Sequence, residues 1–352
     1  MACRLARRAA GRTSPNPMVG AVLVRNGRIV GAGYHRFAGG DHAEIVALKQ
    51  AGAKARGATL YITLEPCSHQ GRTPPCTRAL IQAGIKEVVC GARDPNPLVS
   101  GRGFRKLRSA GIRVRVGILE DECRALIEGF AKFITRRLPF VILKLAATLD
   151  GKIAAAGGDA RWISGEDSRR TAHRLRNEVD AVIVGIGTVK ADDPQLTCRI
   201  AGGRNPWRVV LDSRLEIKPS AAILRQADPA KTVIVSGPTA SKTKSRALAA
   251  GGAQVWSMPL RAGRVAWLPL LRKLASLNVV SVMIEGGGAL AGSALEAKIV
   301  DKIVFFYAPK LLGGDARSMI GPLRIGRVRD ALAVKNLHVE KSGADLMATG
   351  YL

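Results

Sequence analysis

Apolar runs alternate with polar breaks along the whole chain, and the breaks carry turn residues. Two alternating stretches, residues 18–24 and 28–34, flank Asn26-Gly27, a two-residue signal that predicts a β-hairpin. The pattern then predicts a helix from His42 to Lys54, a strand at Thr59–Leu64, a helix from Pro74 to Ala83 and a strand at Glu87–Gly91. A helix over Gly103–Ala110, a strand at Ile112–Gly117 and a helix over Glu120–Arg136 complete a first unit. The short basic start, Met1 to Arg12, reads as a helix entering the fold. At Arg136-Arg137-Leu138-Pro139 the helical pattern stops and a proline opens a new strand, which predicts a boundary between domains 1–138 and 139–352.

The second unit opens on the apolar run from Phe140. Strands are predicted near Asp180–Val184, Arg208–Leu211, Thr232–Val235, Val279–Glu285 and Lys302–Tyr307. Helices near Glu166–Arg176, Val265–Ser276 and Gly287–Glu296 separate them. Strands alternating with helices in both halves place the chain in the α/β class. No internal repeat is evident.

The candidate chemistry lies in the first unit. His42-Ala43-Glu44 is followed by Pro66-Cys67 and then by Cys76. One imidazole and two thiolates make three zinc ligands and leave the fourth tetrahedral position for water, whose pKa zinc lowers to ~7. Glu44 sits too close to His42 to be needed as a ligand and is placed to carry protons. An H-x-E motif with a later Pro-Cys and a further Cys marks zinc deaminases of nucleobase-like rings. Two residues apart on a helix cannot share a side, so His42 and Glu44 converge only if the metal lies over a helix N-terminus. Thr73 as N-cap, with Pro74 and Pro75 in the first turn, would put Cys76 at a second helix start, where the thiolate is favoured. Two plainer readings stand beside this one. Asp41 to Glu44 also fits a capping box, with Asp41 at N-cap and Glu44 at N3. A structural zinc would need a fourth protein ligand, for which His69 is nearest.

Composition narrows the field. The 352 residues are enough for two separate cores, and 47% hydrophobic residues exclude a disordered chain. Six scattered cysteines do not make a disulfide framework and suit a reducing, cytoplasmic setting. No apolar run approaches the ~20 residues that span a bilayer, and the start has no apolar signal-peptide core. The net charge of +28 invites an anionic partner, yet the charges are spread over both halves and aromatics are only 4%, poor material for stacking on single strands. The charge therefore reads as a general basic bias, with no specific nucleic-acid partner.

Two glycine-rich turns in the second unit look like phosphate cradles: Gly185-Ile186-Gly187-Thr188 and Glu285-Gly286-Gly287-Gly288. Neither is the G-x-G-x-x-G fingerprint, so each is equally an ordinary tight turn.

Several longer stretches carry a family resemblance. They are Thr13 to Gly20, Gly40 to Glu44, Thr63 to Cys76, Asp94-Pro-Asn-Pro97, Lys144 to Gly151, Trp162-Ile163, Ala191 to Thr197 and Ala308 to Gly314. Together they resemble the bifunctional riboflavin-biosynthesis deaminase–reductases over nearly the whole chain. The eight-residue gap between Cys67 and Cys76 departs from the C-x-x-C of common cytidine deaminases and fits this family.

The resemblance implies a cytidine-deaminase-like α/β/α sandwich followed by a dihydrofolate-reductase-like domain, with one zinc ion in the first and NADPH in the second. It implies hydrolytic deamination of 2,5-diamino-6-(5-phosphoribosylamino)pyrimidin-4-one, then reduction of the ribosyl group of the product to ribityl, by a homo-oligomer. By the same resemblance Glu44 is catalytic, Asn16 lies at the pyrimidine, and His35, His69 and Arg72 contact ribose or phosphate. Arg72 stands where relatives often have Lys. Ala146, Trp162, Thr188, Asp192, Ser213 and Gly287 are implied at the cofactor. Lys144, Arg176, Leu196, Arg199 and Glu285 are implied at the reductase substrate, with Arg176 and Arg199 suited to phosphate. Ala160 replaces a substrate-contacting Ser of some relatives. The rival reading uses the same zinc chemistry on tRNA or single-stranded DNA, with the second half as a basic binding domain. A third reading, a zinc-stabilised binding module without catalysis, would make Glu44 dispensable.

Overall fold

The computed structural model describes residues 1–68, 75–228 and 231–352. Its contacts divide the chain into two units, Met1–Leu138 and Pro139–Leu352.

The first unit contains α1 (Ala2–Arg7), β1 (Gly20–Arg25), β2 (Arg28–Tyr34), α2 (Ala43–Ala51), β3 (Thr59–Leu64) and α3 (Cys76–Gln82). It continues with β4 (Glu87–Ala92), α4 (Arg102–Ser109), β5 (Arg113–Val116), α5 (Glu120–Leu126) and α6 (Glu128–Arg136). Its sheet has the order β2-β1-β3-β4-β5, with β3, β4 and β5 parallel and β1 antiparallel to both neighbours. The expected hairpin forms, and both Asn26 and Gly27 have positive φ, as a type I′ turn between twisted strands requires.

Alternation along the strands builds two faces. Ala21, Leu23, Leu60, Ile62, Val88 and Cys90 meet Ala43, Ala47, Leu80, Phe104 and Leu107 from α2, α3 and α4. Val22, Tyr61, Thr63 and Val89 point the other way and, with Cys3 and Cys123 of α1 and α5, line a cavity of about 290 Å³. Helix α2 comes very close to the sheet because small residues meet. Ala43, Ala47 and Ala51 recur every four residues on its buried face, opposite Gly31 and Gly33 of β2. A Cβ at Gly31 would run into the Ala47 carbonyl oxygen. This approach fixes where the start of α2, with His42 and Glu44, can lie.

Two expectations are corrected. The capping box does not form: His42 is the N-cap of α2, with no side-chain cap hydrogen bond, and the Asp41 carboxylate pairs with Lys49 at 2.6 Å. The carboxylate is drawn instead to a full cation further along α2, since Lys49 lies in the last turn of that helix. The single helix over Glu120–Arg136 is two helices, broken at Ile127, which buries its side chain beside Leu126 and Cys123. The third helix begins at Cys76 with Pro75 at N-cap, and Thr73 and Pro74 lie outside the described residues.

The second unit contains β6 (Phe140–Thr148), β7 (Lys152–Ala154), α7 (Glu166–Glu178), β8 (Ala181–Gly185), α8 (Ile186–Asp192), β9 (Trp207–Leu211) and β10 (Thr232–Ser236). Then follow α9 (Lys242–Ala250), β11 (Gln254–Ser257), the short pair β12 (Leu260–Arg261) and β13 (Arg264–Val265), and α10 (Trp267–Ser276). The unit ends with β14 (Ser281–Glu285), α11 (Gly288–Glu296), β15 (Lys302–Ala308), β16 (Arg317–Ser318), β17 (Lys335–Ser342) and β18 (Asp345–Tyr351). The order β11-β10-β9-β8-β14-β6-β15-β18-β17 makes one nine-stranded sheet, parallel from β11 to β15 and closed by the antiparallel β18 and β17. The central strands are apolar on both sides, as a sheet covered on both faces demands. No helix among the described residues is long and apolar enough to cross a membrane.

Gly31→Ala is expected to destabilise the first unit by about 1–3 kcal/mol, the usual cost of overpacking. A thermal unfolding transition equal to wild type would show that α2 does not need its close seat on β2.

Candidate active sites

In the first unit three side chains converge. His42 comes from the N-cap of α2, Cys76 from the first position of α3, and Cys67 from the loop after β3. His42 Nδ1 lies 3.1 Å from Cys76 Sγ and 3.7 Å from Cys67 Sγ, and all three ligand atoms fall within 4.8 Å of one another. A tetrahedral site with ordinary Zn–N and Zn–S bonds has N···S edges of about 3.6 Å, so the donor set fits zinc. The Cys76 backbone N–H donates to Cys67 Sγ at 3.3 Å. Hydrogen bonding from Cys76, with His42 adding to it, pulls the Cys67 thiol well below the ordinary thiol range, while Cys76 is pushed up as the partner that keeps the proton. The pair thus holds a thiolate ready for a cation.

Glu44 lies beside this cluster, in the first turn of α2, and is 3% exposed. Burial raises its pKa above the ordinary carboxyl range. A buried carboxyl with its pKa raised towards the neutral form suits a group that passes protons. His35 lies just beyond β2, its ring edge-on to His42 at 5.5 Å. Asn16 is bonded to His35. His69 and Arg72 lie outside the described residues.

Sequence reasoning missed Glu65, which precedes Pro66-Cys67. Its buried carboxylate accepts the backbone N–H groups of Asp94, Gly101, Gly103 and Phe104 at 2.9–3.3 Å. It ties the ligand loop to the start of α4. A carboxylate at the end of an apolar strand was the available signal, since a buried charge needs such partners.

In the second unit the parallel strands present their C-terminal ends to the expected reductase residues, where α/β sheets bind ligands. Lys144 on β6 and Glu285 on β14 are register partners. Arg176 of α7 clamps Glu285 through Nε and one terminal nitrogen, both at 2.8 Å, and its other terminal nitrogen donates to the Thr197 carbonyl at 3.2 Å. Burial disfavours the Glu285 carboxylate, but the Arg176 charge and hydrogen bonds, with Lys144, outweigh it and hold its pKa at about 2. Burial lowers the pKa of Lys144, against the pull of Glu285.

With all three Arg176 nitrogens engaged, Arg199 is the freer guanidinium. His173, another residue missed from the sequence, receives the Arg199 Nε at 3.3 Å and lies within the charge field of both arginines. Its position one turn before Arg176 on α7 was the signal.

The two glycine-rich turns meet: Gly287 N–H donates to Thr188 Oγ1 at 3.3 Å. A cavity of about 360 Å³ runs from Gly185 and Gly187 past Ser213 to Trp267 and Ser293. An added Cβ at Gly185 or Gly187 would meet nothing within 4 Å, so the backbone is bare towards a ligand there, which fits a dinucleotide phosphate. Trp162 is exposed, with the Arg169 guanidinium 4.6 Å over its ring, and its carbonyl accepts from Lys310. The Asp192 carbonyl accepts from Arg161. Ala146 packs partly buried against the core, and Leu196 is buried in it with φ 54°. Trp162, Asp192, Ala146 and Leu196 do not line that cavity.

Comparison with known proteins identifies both halves of the chain. Residues 1–92 match the family model of the cytidine and deoxycytidylate deaminase zinc-binding region, and residues 139–348 match the RibD C-terminal domain. The riboflavin biosynthesis protein RibD of Aquifex aeolicus is 46% identical over 348 residues, 99% of this chain and 95% of the relative. The chain belongs to the RibD family. RibD of Escherichia coli is 39% identical over 358 residues, 98% of this chain and 96% of that one. The structure of Acinetobacter baumannii RibD, form 1, matches with a TM-score of 0.87 at 38% identity, covering 99% of this chain and 96% of that one. A diaminohydroxyphosphoribosylaminopyrimidine deaminase/5-amino-6-(5-phosphoribosylamino)uracil reductase from Thermotoga maritima matches at 0.86 and 38%, with the same coverage.

As a RibD family member the chain is a bifunctional deaminase and reductase of riboflavin biosynthesis, with a zinc-binding domain of cytidine-deaminase type and an NADPH-dependent reductase domain of dihydrofolate-reductase type. A basic nucleic-acid-binding second half gives way to this finding.

Arg176→Met leaves Glu285 buried without its main partner, and is expected to cost the second unit about 3–5 kcal/mol at neutral pH. Because the folded pKa is depressed, the pair's contribution is complete above the ordinary carboxyl value and fades as pH falls towards 2. Urea unfolding across that range would show the gap between variant and wild type narrowing with acid; a gap independent of pH would contradict the pairing.

Proposed function

We propose that residues 1–138 deaminate 2,5-diamino-6-(5-phosphoribosylamino)pyrimidin-4-one and that residues 139–352 reduce the resulting 5-amino-6-(5-phosphoribosylamino)uracil to its ribityl form. The observation that carries this reading is the convergence of His42, Cys67 and Cys76 beside the buried Glu44. Those three residues would hold zinc, which when bound would supply an activated water. Glu44 is the proton carrier: it would pass the first water proton to a ring nitrogen, then carry the remaining hydroxyl proton to the amino group, which leaves as ammonia while the ring carbonyl forms. Its burial raises its pKa and so favours the proton-bound form that must deliver a proton. Asn16 reads the pyrimidine, and His69 and Arg72 serve the ribose phosphate.

In the second half NADPH, when bound, supplies the hydride. Ser213, which lines the cavity, and Thr188 with Gly287, which pair with each other at the glycine turns, hold its phosphates and adenosine side, with Ala146, Trp162 and Asp192 towards the nicotinamide. Lys144 and Glu285 face the sugar that is reduced, Arg199 takes its phosphate, and Arg176 fixes Glu285 while Leu196 shapes the wall. The protein's work there is positioning two molecules for transfer. The reading includes a cytoplasmic homo-oligomer acting on phosphorylated pyrimidines, without a specific nucleic-acid partner.

A coupled assay on purified protein tests both halves. Glu44→Gln is expected to lower ammonia release by roughly 10²–10⁴-fold, the usual worth of a general acid–base, and to spare NADPH consumption on deaminated substrate. Lys144→Ala is expected to do the reverse. Chelation of zinc should abolish deamination alone. Retention of both activities in both variants would overturn these roles.

A further inference from the structure

His35 has no assigned task in the reaction steps above, and its surroundings define one. It is 2% exposed, although it immediately follows β2. Its backbone N–H is committed to the Val19 carbonyl at 2.9 Å, so its place is fixed. Both ring nitrogens are also engaged. Nδ1 lies 3.0 Å from the Asp41 carbonyl oxygen, and Nε2 lies 3.1 Å from the Asn16 side-chain nitrogen. A carbonyl oxygen only accepts, so Nδ1 carries the proton. In the neutral ring Nε2 is then a bare acceptor. Only the N–H₂ end of the Asn16 amide can face it, and the amide orientation follows without reference to the substrate.

The consequence falls on Asn16. Its backbone is held by a hydrogen bond from Asn16 N to the Thr13 carbonyl at 2.7 Å. Its Oδ1 has no hydrogen-bond partner among the described residues. Asp41 contributes through its carbonyl, while its carboxylate is turned away to Lys49. The chain Asp41–His35–Asn16 thus starts at the residue before the ligand His42 and runs edge-on past the His42 ring. A ring so enclosed, with both nitrogens taken, has no donor to spare for a ribose or phosphate.

We propose that His35 is a positioning residue of the deaminase: anchored on the Asp41 carbonyl, it turns the Asn16 amide so that Oδ1 is the atom offered to the pyrimidine, and the site selects rings that present an N–H there. The proposal rests on the deaminase reading and adds a specificity rule to it. A pyrimidine with a lactam or amino N–H at that edge is accepted; one with a bare ring nitrogen meets oxygen lone pairs and is rejected.

Two readouts on the full-length zinc-loaded protein test it. Long-range ¹H–¹⁵N correlation spectra of the five histidines, assigned with His35→Phe, should show His35 protonated at Nδ1 and bare at Nε2. A double-mutant cycle should show that His35 acts through Asn16. His35→Phe and Asn16→Ala should each raise the deaminase KM roughly tenfold, the worth of one misplaced hydrogen bond. The double variant should be no worse than Asn16→Ala, with zinc content and NADPH-dependent reduction unchanged. Multiplicative losses, an unchanged KM in His35→Phe, or a proton on Nε2 would each overturn the proposal. If His35→Phe does not load zinc, the wild-type tautomer, assigned through Asn16→Ala, decides. Absence of ammonia release by the wild type would be the separate failure of the deaminase reading, and the proposal would fall with it.

Discussion

Three ligand atoms from three separate segments must meet within a few ångströms, and the first unit is built around that requirement. His42 and Cys76 stand at the starts of two helices, and Cys67 follows the end of a strand. No single element could supply the set, so the sheet must hold both helices and the loop in fixed relation. The Gly31–Ala47 contact seats one helix. The Glu65 carboxylate, with four backbone donors, seats the loop. A buried carboxylate is costly unless fully bonded, and here its cost is offset while it serves as a fastener.

The second unit solves a different problem by the same means. It has no metal cluster among its described residues and instead lines up neighbouring strand ends. Lys144 and Glu285 are adjacent because β6 and β14 pair in register, and the glycine turns after β8 and β14 meet because those strands are neighbours too. Chemistry, phosphate cradle and cavity therefore lie in sequence across one edge of a parallel sheet. The C-terminal ends of neighbouring parallel strands are where such sheets bind ligands, which is the basis of the proposed cofactor and substrate sites.

Much of this was legible in the chain. Asn26-Gly27 announced the hairpin because both residues readily take the positive φ angles of a type I′ turn, one of the tight turns that join such strands. The His42, Glu44, Cys67 and Cys76 pattern announced the metal site because few other arrangements of those side chains make chemical sense. What stayed hidden depended on tertiary partners. Lys49 drew Asp41 away from the helix start, and Ile127 broke a helix to reach a core. Strand β17 reads as a polar segment because it is an edge with all but its last residue exposed. Helix α8 was hidden inside what looked like a glycine turn. Arg176 looked like a phosphate binder, as basic residues do in so basic a chain, and only the fold showed its fork filled by Glu285.

The central claim is that His42, Cys67 and Cys76 together hold one zinc ion with an open position. X-ray absorption at the zinc edge of the purified, active protein tests it most directly. The account predicts one zinc per chain with two sulfur neighbours at about 2.3 Å and two lighter neighbours, one nitrogen and one oxygen, at about 2.0 Å. Absence of zinc from active protein, or a shell with no oxygen neighbour and four protein ligands, would contradict it.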